Sequence, residues 1–262
     1  MSRITTIFKN TKKAFIPFIT AGDSGLDNTF ELMQTLVKNG ADVIELGVPF
    51  SDPMADGPVI AKSHERAVAD GVSLLDVLSL VKKFRQTNDT TAVVLMGYLN
   101  PIEVFGYQAF SDAASESGVD GILVVDMPPE EAHDLKKDLD KNGIDFIFLV
   151  APTTTNERLT SLAKIASGFV YFVSLKGVTG AGHLDVDVVS TNLSRIRQFI
   201  DLPIGVGFGI KDAMTAKAIS KSADAVIVGS SLVAFIAQYG TNKDKMLKSV
   251  GALANEIAGA IK

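Results

Sequence analysis

Eight short apolar segments, each bounded by turn residues, recur along this chain and are separated by stretches long enough for a helix. Helical periodicity fills several of these stretches, as in Leu74, Val77 and Val81, which share one helix face. We therefore predict eight strands, most of them followed by a helix. The predicted strands cover residues 15–20, 43–47, 92–96, 121–125, 146–150, 170–174, 204–207 and 225–228.

Strands that are apolar throughout and alternate with helices form parallel sheets covered on both faces. Eight such units in a chain of 262 residues fit an α/β fold, the closed (β/α)8 or TIM barrel, which typically takes about 250 residues. An open doubly wound sheet is the alternative, although such sheets usually have fewer strands. No Gly-, Ser- or Pro-rich linker divides the chain, so we expect one domain over residues 1–262.

Two gaps between predicted strands are longer than one helix requires. Residues 48–57 form a long loop after strand 2, with room for a further helix, and residues 175–183 open the gap after strand 6. In a barrel both loops leave the carboxyl ends of strands, the face on which barrel enzymes place their active sites. The complete prediction is a TIM barrel with an extra N-terminal helix and long loops after strands 2 and 6.

Composition narrows the possible functions. The chain has no cysteine, which excludes disulfides, thiolate metal sites and cysteine nucleophiles. Its net charge is −5 and it has no run of Lys and Arg, which argues against nucleic acid or an anionic membrane as the main partner. The first residues lack the apolar core of a signal peptide, and no apolar run is long enough to span a bilayer. We expect a soluble, cytoplasmic protein.

Glu45 is an acidic residue in an otherwise apolar predicted strand. Strand alternation puts Ile44 and Leu46 on the face that meets the helices, so that Glu45 points into the barrel near its top. A carboxyl group there loses hydration and its pKa rises toward neutrality, which suits a residue that both gives and takes protons. The alternative is a structural carboxylate paired with a buried cation or with backbone amides.

Two further carboxylates, Asp52 and Asp56, follow in the loop after strand 2. Asp56 precedes Gly57 and Pro58, a sequence typical of a helix start, and Asp52 likewise precedes a proline. Taken alone, each is therefore interpreted as an N-terminal cap rather than as a catalytic group.

Three glycine-rich turns follow the last predicted strands, at residues 177–180, 205–209 and 229–231. Glycine lets backbone N–H groups approach an anion closely, and turns after strands 7 and 8 form the recurrent phosphate site of barrel enzymes. The turns predict a phosphate-binding site. No Gly-x-Gly-x-x-Gly or Walker-type sequence is present, which argues against nucleotide binding.

His64, His133 and His183 are isolated and lack metal-ligand spacing. We interpret each as a surface or loop histidine and predict no metal site. No lysine falls within a predicted strand, which argues against a Schiff base. Lys176, just beyond strand 6, is the one position that could supply one.

Residues 45–57, Glu-Leu-Gly-Val-Pro-Phe-Ser-Asp-Pro-Met-Ala-Asp-Gly, are similar without a mismatch to a signature of the tryptophan synthase alpha chain family. The resemblance extends in order over nearly the whole chain. Further matching segments are residues 15–23, 96–101, 125–128, 151–154, 171–180, 207–210 and 228–230. The chain departs from the family at residues 174–176, Ser-Leu-Lys, where many members carry an arginine after the serine.

The resemblance implies a lyase that splits indole-3-glycerol phosphate into indole and glyceraldehyde 3-phosphate by retro-aldol cleavage. It implies that Glu45 is the general acid and base, that Asp56 accepts a hydrogen bond from the indole N–H, and that Tyr171 lies beside Glu45. Thr179, in the same substrate site, links the strand-6 loop to Asp56 when the site closes. The implied indole pocket contains Phe18, Ile60, Met96, Tyr98 and Phe208, and the implied phosphate site contains Gly180, Gly209, Gly229 and Ser230.

The family also implies a partner, a beta chain that carries pyridoxal phosphate and forms an alpha2beta2 tetramer with the alpha chain. No cofactor is expected in this chain, and residues 51–57 and 100–105 are expected to face the partner. The alternatives are a stand-alone indole-3-glycerol-phosphate lyase, a non-catalytic phosphate-binding barrel that regulates a partner, and another phosphosugar barrel such as an isomerase. Glu45 and Asp56 argue against the last two.

Overall fold

The computed structural model describes residues 2–174, 185–207 and 209–262. Its eight strands run parallel and close into one barrel, in which each strand pairs with the next and the last pairs with the first. The TIM barrel predicted from the sequence is confirmed. The strands are β1 Ala14–Thr20, β2 Val43–Gly47, β3 Ala92–Gly97, β4 Gly121–Val124, β5 Asp145–Val150, β6 Val170–Val173, β7 Ile204–Gly207 and β8 Ala225–Val228.

Helices surround the barrel, and the predicted extra N-terminal helix, α1 (Arg3–Asn10), precedes it. This helix packs against the barrel interior, with Ile4 fully buried and the ring of Phe8 lying 5.8 Å from that of Phe169. Across the described part of the chain, no helix combines the length and the apolar character that a membrane span requires. The other helices are α2 Leu26–Lys38, α3 Pro58–Ala69, α4 Leu74–Arg85, α5 Leu99–Phe105, α6 Tyr107–Ser117, α7 His133–Lys141, α8 Asn156–Ile165, α9 Val186–Ile196, α10 Ala213–Ser220, α11 Ser230–Tyr239 and α12 Lys243–Ile261, with a 3-10 turn over Pro129–Glu131.

Side-chain alternation along the strands divides the core into two layers. Ile44 and Leu46 of β2 belong to the outer layer, between the strands and the helices. Their neighbour Val43 belongs to the inner layer, which fills the barrel. Because alternate residues of a strand share a face, Glu45 shares the inner side with Val43. The predicted direction of Glu45 is therefore confirmed.

The predicted strands agree with the observed strands to within one residue at each end. The long gap after β2 contains the expected loop over residues 48–57 and two helices, α3 and α4. The expected loop after β6, residues 175–183, lies outside the described residues, and with it Lys176 and His183.

Candidate active site

Glu45 is a buried carboxyl group inside the barrel. Strand pairing places it level with Phe18 of β1 and Val94 of β3, and it is 1% exposed. Neither carboxyl oxygen has a hydrogen-bond partner among the described residues, so the alternative of a paired structural carboxylate is wrong. Burial, followed by the charge of Asp56, raises the pKa of Glu45 to about 8. At neutral pH most molecules therefore carry this group as an acid.

Asp56 lies in the loop after β2 and is held there by Tyr98, which follows β3. The Tyr98 hydroxyl donates a hydrogen bond of 2.8 Å to Asp56 Oδ2 and accepts one of 3.1 Å from the Ala55 N–H. Burial raises the pKa of Asp56, and the hydrogen bond from Tyr98 opposes this shift. Tyr98 thus fixes the carboxyl group through a contact between residues far apart in the chain.

The interpretation of the two loop aspartates as helix caps is wrong. α3 begins at Pro58 with Gly57 as its N-cap, and no side chain caps it. Asp56 instead accepts a hydrogen bond from the Tyr98 hydroxyl, which satisfies its buried carboxyl oxygen. Asp52 is exposed, and no helix begins at Pro53, the proline that follows it.

His64 lies on α3 with a side chain that is 3% exposed, so its interpretation as a surface or loop histidine is wrong. Nδ1 accepts a hydrogen bond of 3.1 Å from the Phe50 N–H, and Nε2 lies 3.6 Å from Asp56 Oδ2. Burial lowers the pKa of His64 to about 4, so the ring is neutral at pH 7 and its contact with Asp56 is not an ion pair. His133, by contrast, is exposed, although it begins a helix rather than lying in a loop.

Tyr171 of β6 lies in the barrel interior against β7. A Cβ atom at Gly207 would lie only 2.0 Å from the Tyr171 hydroxyl oxygen, so glycine is required for the ring to fit. Burial, followed by the charges of Glu45 and Asp56, raises the pKa of Tyr171 well above its usual value. The hydroxyl therefore stays protonated beside the two carboxyl groups.

Phe18 of β1 is also positioned by glycines. A Cβ atom at Gly47 would lie 2.7 Å from the edge of the Phe18 ring, and a Cβ atom at Gly229 would lie 3.2 Å from it. The missing side chains leave space for the ring to lie across the ends of β2 and β8. An aromatic surface is thereby provided next to Glu45.

The edge of the site near β7 and β8 suits an anion. α11 begins at Ser230 immediately after β8, with Gly229 as its N-cap and no capping side chain. The backbone N–H groups of a first helical turn have no partner within the helix and carry the positive end of its dipole. Gly209 adopts a φ of +75°, a conformation that glycine enters without strain.

These groups border one cavity of about 220 Å³. Tyr98 is not part of its lining but is hydrogen-bonded to Asp56, which is. Thr179, Gly180 and Phe208, which were also predicted to belong to the site, lie outside the described residues. The predicted site residues that line the cavity are Phe18, Glu45, Asp56, Ile60, Met96, Tyr171, Gly209, Gly229 and Ser230.

Comparison with known proteins identifies the family that the sequence resembles, and the match extends over almost the whole chain. The family model described as "Tryptophan synthase alpha chain" matches residues 4–262. The chain belongs to this family. It is 76% identical to the tryptophan synthase alpha chain of Ruthia magnifica subsp. Calyptogena magnifica, with all of both chains covered.

Solved structures support the same family assignment. Tryptophan synthase subunit alpha from Legionella pneumophila superposes with a TM-score of 0.93 at 43% identity, covering 100% of this chain and 98% of that one. A chain of the tryptophan synthase complex from Pyrococcus furiosus superposes with a TM-score of 0.84 at 36% identity, covering 94% and 98%. As a member of the alpha-chain family, the protein is a lyase of tryptophan biosynthesis. Its reaction is the cleavage of indole-3-glycerol phosphate to indole and glyceraldehyde 3-phosphate.

Sequence reasoning missed part of this alpha-chain cavity. The start of α3 contributes Val59, and the turn after β7 contributes Ile210. Ile227 could have been found from the alternation of β8, by the same reasoning that oriented Glu45. A larger adjoining cavity of about 1130 Å³ shares Asp56 and extends along the ends of β4 and β5. Within the described residues, no cluster of acidic and histidine side chains could hold a metal ion.

Proposed function

We propose that Glu45 and Asp56 together carry out the cleavage of indole-3-glycerol phosphate. The Glu45 carboxylic acid gives its proton to C3 of the indole, and the positive charge that develops on the ring is stabilised by the Asp56 carboxylate at the N–H. The Glu45 carboxylate then takes the proton of the side-chain hydroxyl. The C–C bond breaks, the oxygen becomes the aldehyde of glyceraldehyde 3-phosphate, and the bonding pair returns to the ring as neutral indole.

The observation that carries this proposal is the buried carboxyl group of Glu45 at the cavity, which no described residue pairs by a hydrogen bond. A folded chain seldom leaves such a group without a partner unless the ligand or the chemistry uses it. Its pKa of about 8 suits a group that starts as an acid and ends each cycle as one. Asp56, whose negative charge helps to raise that pKa, is well placed to act as the anion of the pair.

The two ends of the cavity match the two ends of the substrate. Phe18, Ile60 and Met96 offer apolar contact to the indole ring, while Gly209 and the first turn of α11 offer backbone N–H groups to the phosphate. Tyr171 is proposed to lie beside Glu45 as a neutral hydroxyl.

A tryptophan synthase beta chain is the proposed partner, in an alpha2beta2 tetramer in which only the beta chain carries pyridoxal phosphate. Met54 and Val104 are strongly exposed apolar side chains, at 75% and 81%. They lie in the two segments expected to face the partner, and exposed apolar residues of this kind are typical of interaction surfaces. No cofactor is assigned to this chain, and a cytoplasmic location is part of the proposal.

The test is indole release from indole-3-glycerol phosphate, with glyceraldehyde 3-phosphate measured by a coupled dehydrogenase. We expect slow release from this chain alone and faster release when a beta chain is added. Fast release that a saturating beta chain leaves unchanged would support a stand-alone lyase. Asp52→Asn, assayed without the beta chain, is the control and should release indole at the wild-type rate. If Asp56→Asn also released indole at the wild-type rate, the role of Asp56 would be contradicted.

A further inference from the structure

His64 is a buried polar side chain next to the proposed catalytic pair, and the cleavage mechanism above does not use it. It lies on the helix that begins just after Asp56, and its ring stands edge-on to that of Tyr98 with centroids 6.4 Å apart. The Phe50 ring stacks on the ring of Tyr98, with ring centroids 5.1 Å apart. Three aromatic rings therefore connect the beginning of the β2 loop, the end of β3 and α3.

The hydrogen bond from the Phe50 N–H determines which nitrogen of His64 carries the proton. Nδ1 is the acceptor of this bond and is therefore unprotonated. A neutral imidazole then has its hydrogen on Nε2, which is the nitrogen that faces Asp56. The ring can thus accept from one end of the loop and donate to the other end.

Both groups near Asp56 approach the same carboxylate oxygen. Tyr98 donates to Oδ2 at 2.8 Å, and His64 Nε2 lies 3.6 Å from Oδ2. Neither of these two contacts, both made by described residues, uses Oδ1. The distance of 3.6 Å is longer than a hydrogen bond, and a shift of the loop by about 0.5 Å would close it. Contacts of this kind commonly tighten when substrate binds.

We propose that His64 is a positioning residue for Asp56: its neutral ring anchors the Phe50 backbone and donates Nε2–H to Oδ2, which orients Oδ1 toward the indole nitrogen. This inference rests on the proposed function of Asp56. The acceptor and the donor are separate atoms of one ring, so they can be removed separately.

The experiment compares kcat and KM for indole-3-glycerol phosphate in three variants of the full chain. His64→Asn places an amide oxygen near the position of Nδ1 but does not reach Asp56. His64→Gln places an amide N–H near the position of Nε2, and His64→Phe removes both functions. We expect His64→Asn to lower kcat roughly tenfold with little change in KM, the size of one hydrogen bond to a charged group. His64→Gln should recover most of kcat.

A double-mutant cycle shows whether His64 acts through Asp56. If it does, His64→Asn costs nothing further in the background of Asp56→Asn. Equal losses in both backgrounds, or a wild-type kcat in His64→Asn, would overturn the positioning role. A wild-type kcat in Asp56→Asn would overturn the proposed function instead, so the two failures are distinguishable.

The tautomer supplies a measurement that does not depend on activity. Nitrogen-15 NMR of the imidazoles should show His64 as the Nε2–H form, unchanged between about pH 6 and 8. Among the described residues, Asp56 and Tyr98 are titratable side chains that face His64. A proton on Nδ1, or a His64 that gains a proton within this pH range, would contradict the proposed donor.

Discussion

The barrel buries a carboxyl group at each of its two ends and treats the two groups in opposite ways. Glu45, toward the carboxyl ends of the strands, is 1% exposed and has no hydrogen-bond partner among the described residues. Asp120, just before β4 at the other end, is 5% exposed and accepts from Arg3 at 2.9 Å, from Arg85 at 2.5 Å and from the Val93 N–H at 2.7 Å. Equal burial therefore does not mean an equal role.

The arrangement around Asp120 repeats at the same end of the barrel. An aspartate that directly precedes an even-numbered strand accepts the backbone N–H of the preceding odd-numbered strand, and so ties two strands together. The pairs are Asp42 with Phe15 at 2.8 Å, Asp120 with Val93 at 2.7 Å and Asp224 with Ile204 at 2.8 Å. Ser167, which lies three residues before β6, has a similar role, since its hydroxyl accepts a hydrogen bond of 2.9 Å from the Phe146 N–H of β5. These carboxylates stabilise the closed sheet.

Glu45 has the opposite energetic effect. A buried carboxyl group without partners is desolvated and gains nothing in return, so it opposes folding whenever it is charged. A chain that keeps such a group sacrifices stability at one point of the structure for chemistry there. Substitutions at the two ends should therefore separate activity from stability.

The largest expected effect is on the rate of cleavage, at Glu45. Glu45→Gln keeps the shape of the side chain but removes the proton donor, so kcat should fall by about 10³-fold, within the range of general acid–base catalysis. Glu65→Gln, an exposed glutamate on α3, is the matched control and should leave kcat unchanged. Indole release measures both variants.

Folding of the same variants tests the other half of the comparison. Glu45→Gln should be at least as stable as the wild type in urea denaturation at pH 7, because in the described part of the chain the side chain has no hydrogen-bond partner to lose. A large loss of stability in Glu45→Gln, with activity per folded molecule preserved, would make Glu45 a structural residue like Asp120.

The next largest effect is on the free energy of unfolding, at Asp120. Asp120→Asn removes the charge that pairs with Arg3 and Arg85 and leaves the partly buried Arg85 without its anion, which should cost about 3–5 kcal/mol. Exposed Asp201→Asn is the control and should stay within about 0.5 kcal/mol. Activity per folded molecule should be near that of the wild type. A stable Asp120→Asn would contradict the structural role of this end of the barrel.

Much of the fold was predictable because its signals are local. Apolar runs and the two-residue period of a strand are properties of neighbouring residues, and they were enough to predict eight strands and the inward direction of Glu45. The residues around Asp56 gave the wrong answer for the converse reason. Gly57 and Pro58 signal a helix start locally, whereas the partner of Asp56 is Tyr98, a residue of another strand end.

His64 was misjudged in the same way. It is isolated in sequence, and its partners are a backbone N–H at Phe50 and a carboxylate brought near by the turn into α3. A backbone donor leaves no trace in residue types, so no motif could have revealed this contact. Only the closing of the barrel places these groups together.

The smallest expected effect is a pH dependence that distinguishes the two ends. With a pKa of about 8, Glu45 is protonated at neutral pH, and kcat/KM should fall about tenfold per pH unit above that value as the acid is lost.

The raised pKa also means that the contribution of Glu45 to stability is fully present below its unfolded value of 4.5 and is lost as the pH rises through about 8. Wild type and Asp120→Asn should share this loss of stability, which accumulates between pH 4.5 and about 8, whereas Glu45→Gln should lack it. Asp56→Asn removes a charge that raises the pKa of Glu45, so in this variant the loss should be complete at a lower pH and smaller in total. Urea denaturation at a series of pH values measures all four proteins, and a loss of the same size over this pH range in Glu45→Gln would assign it to another group.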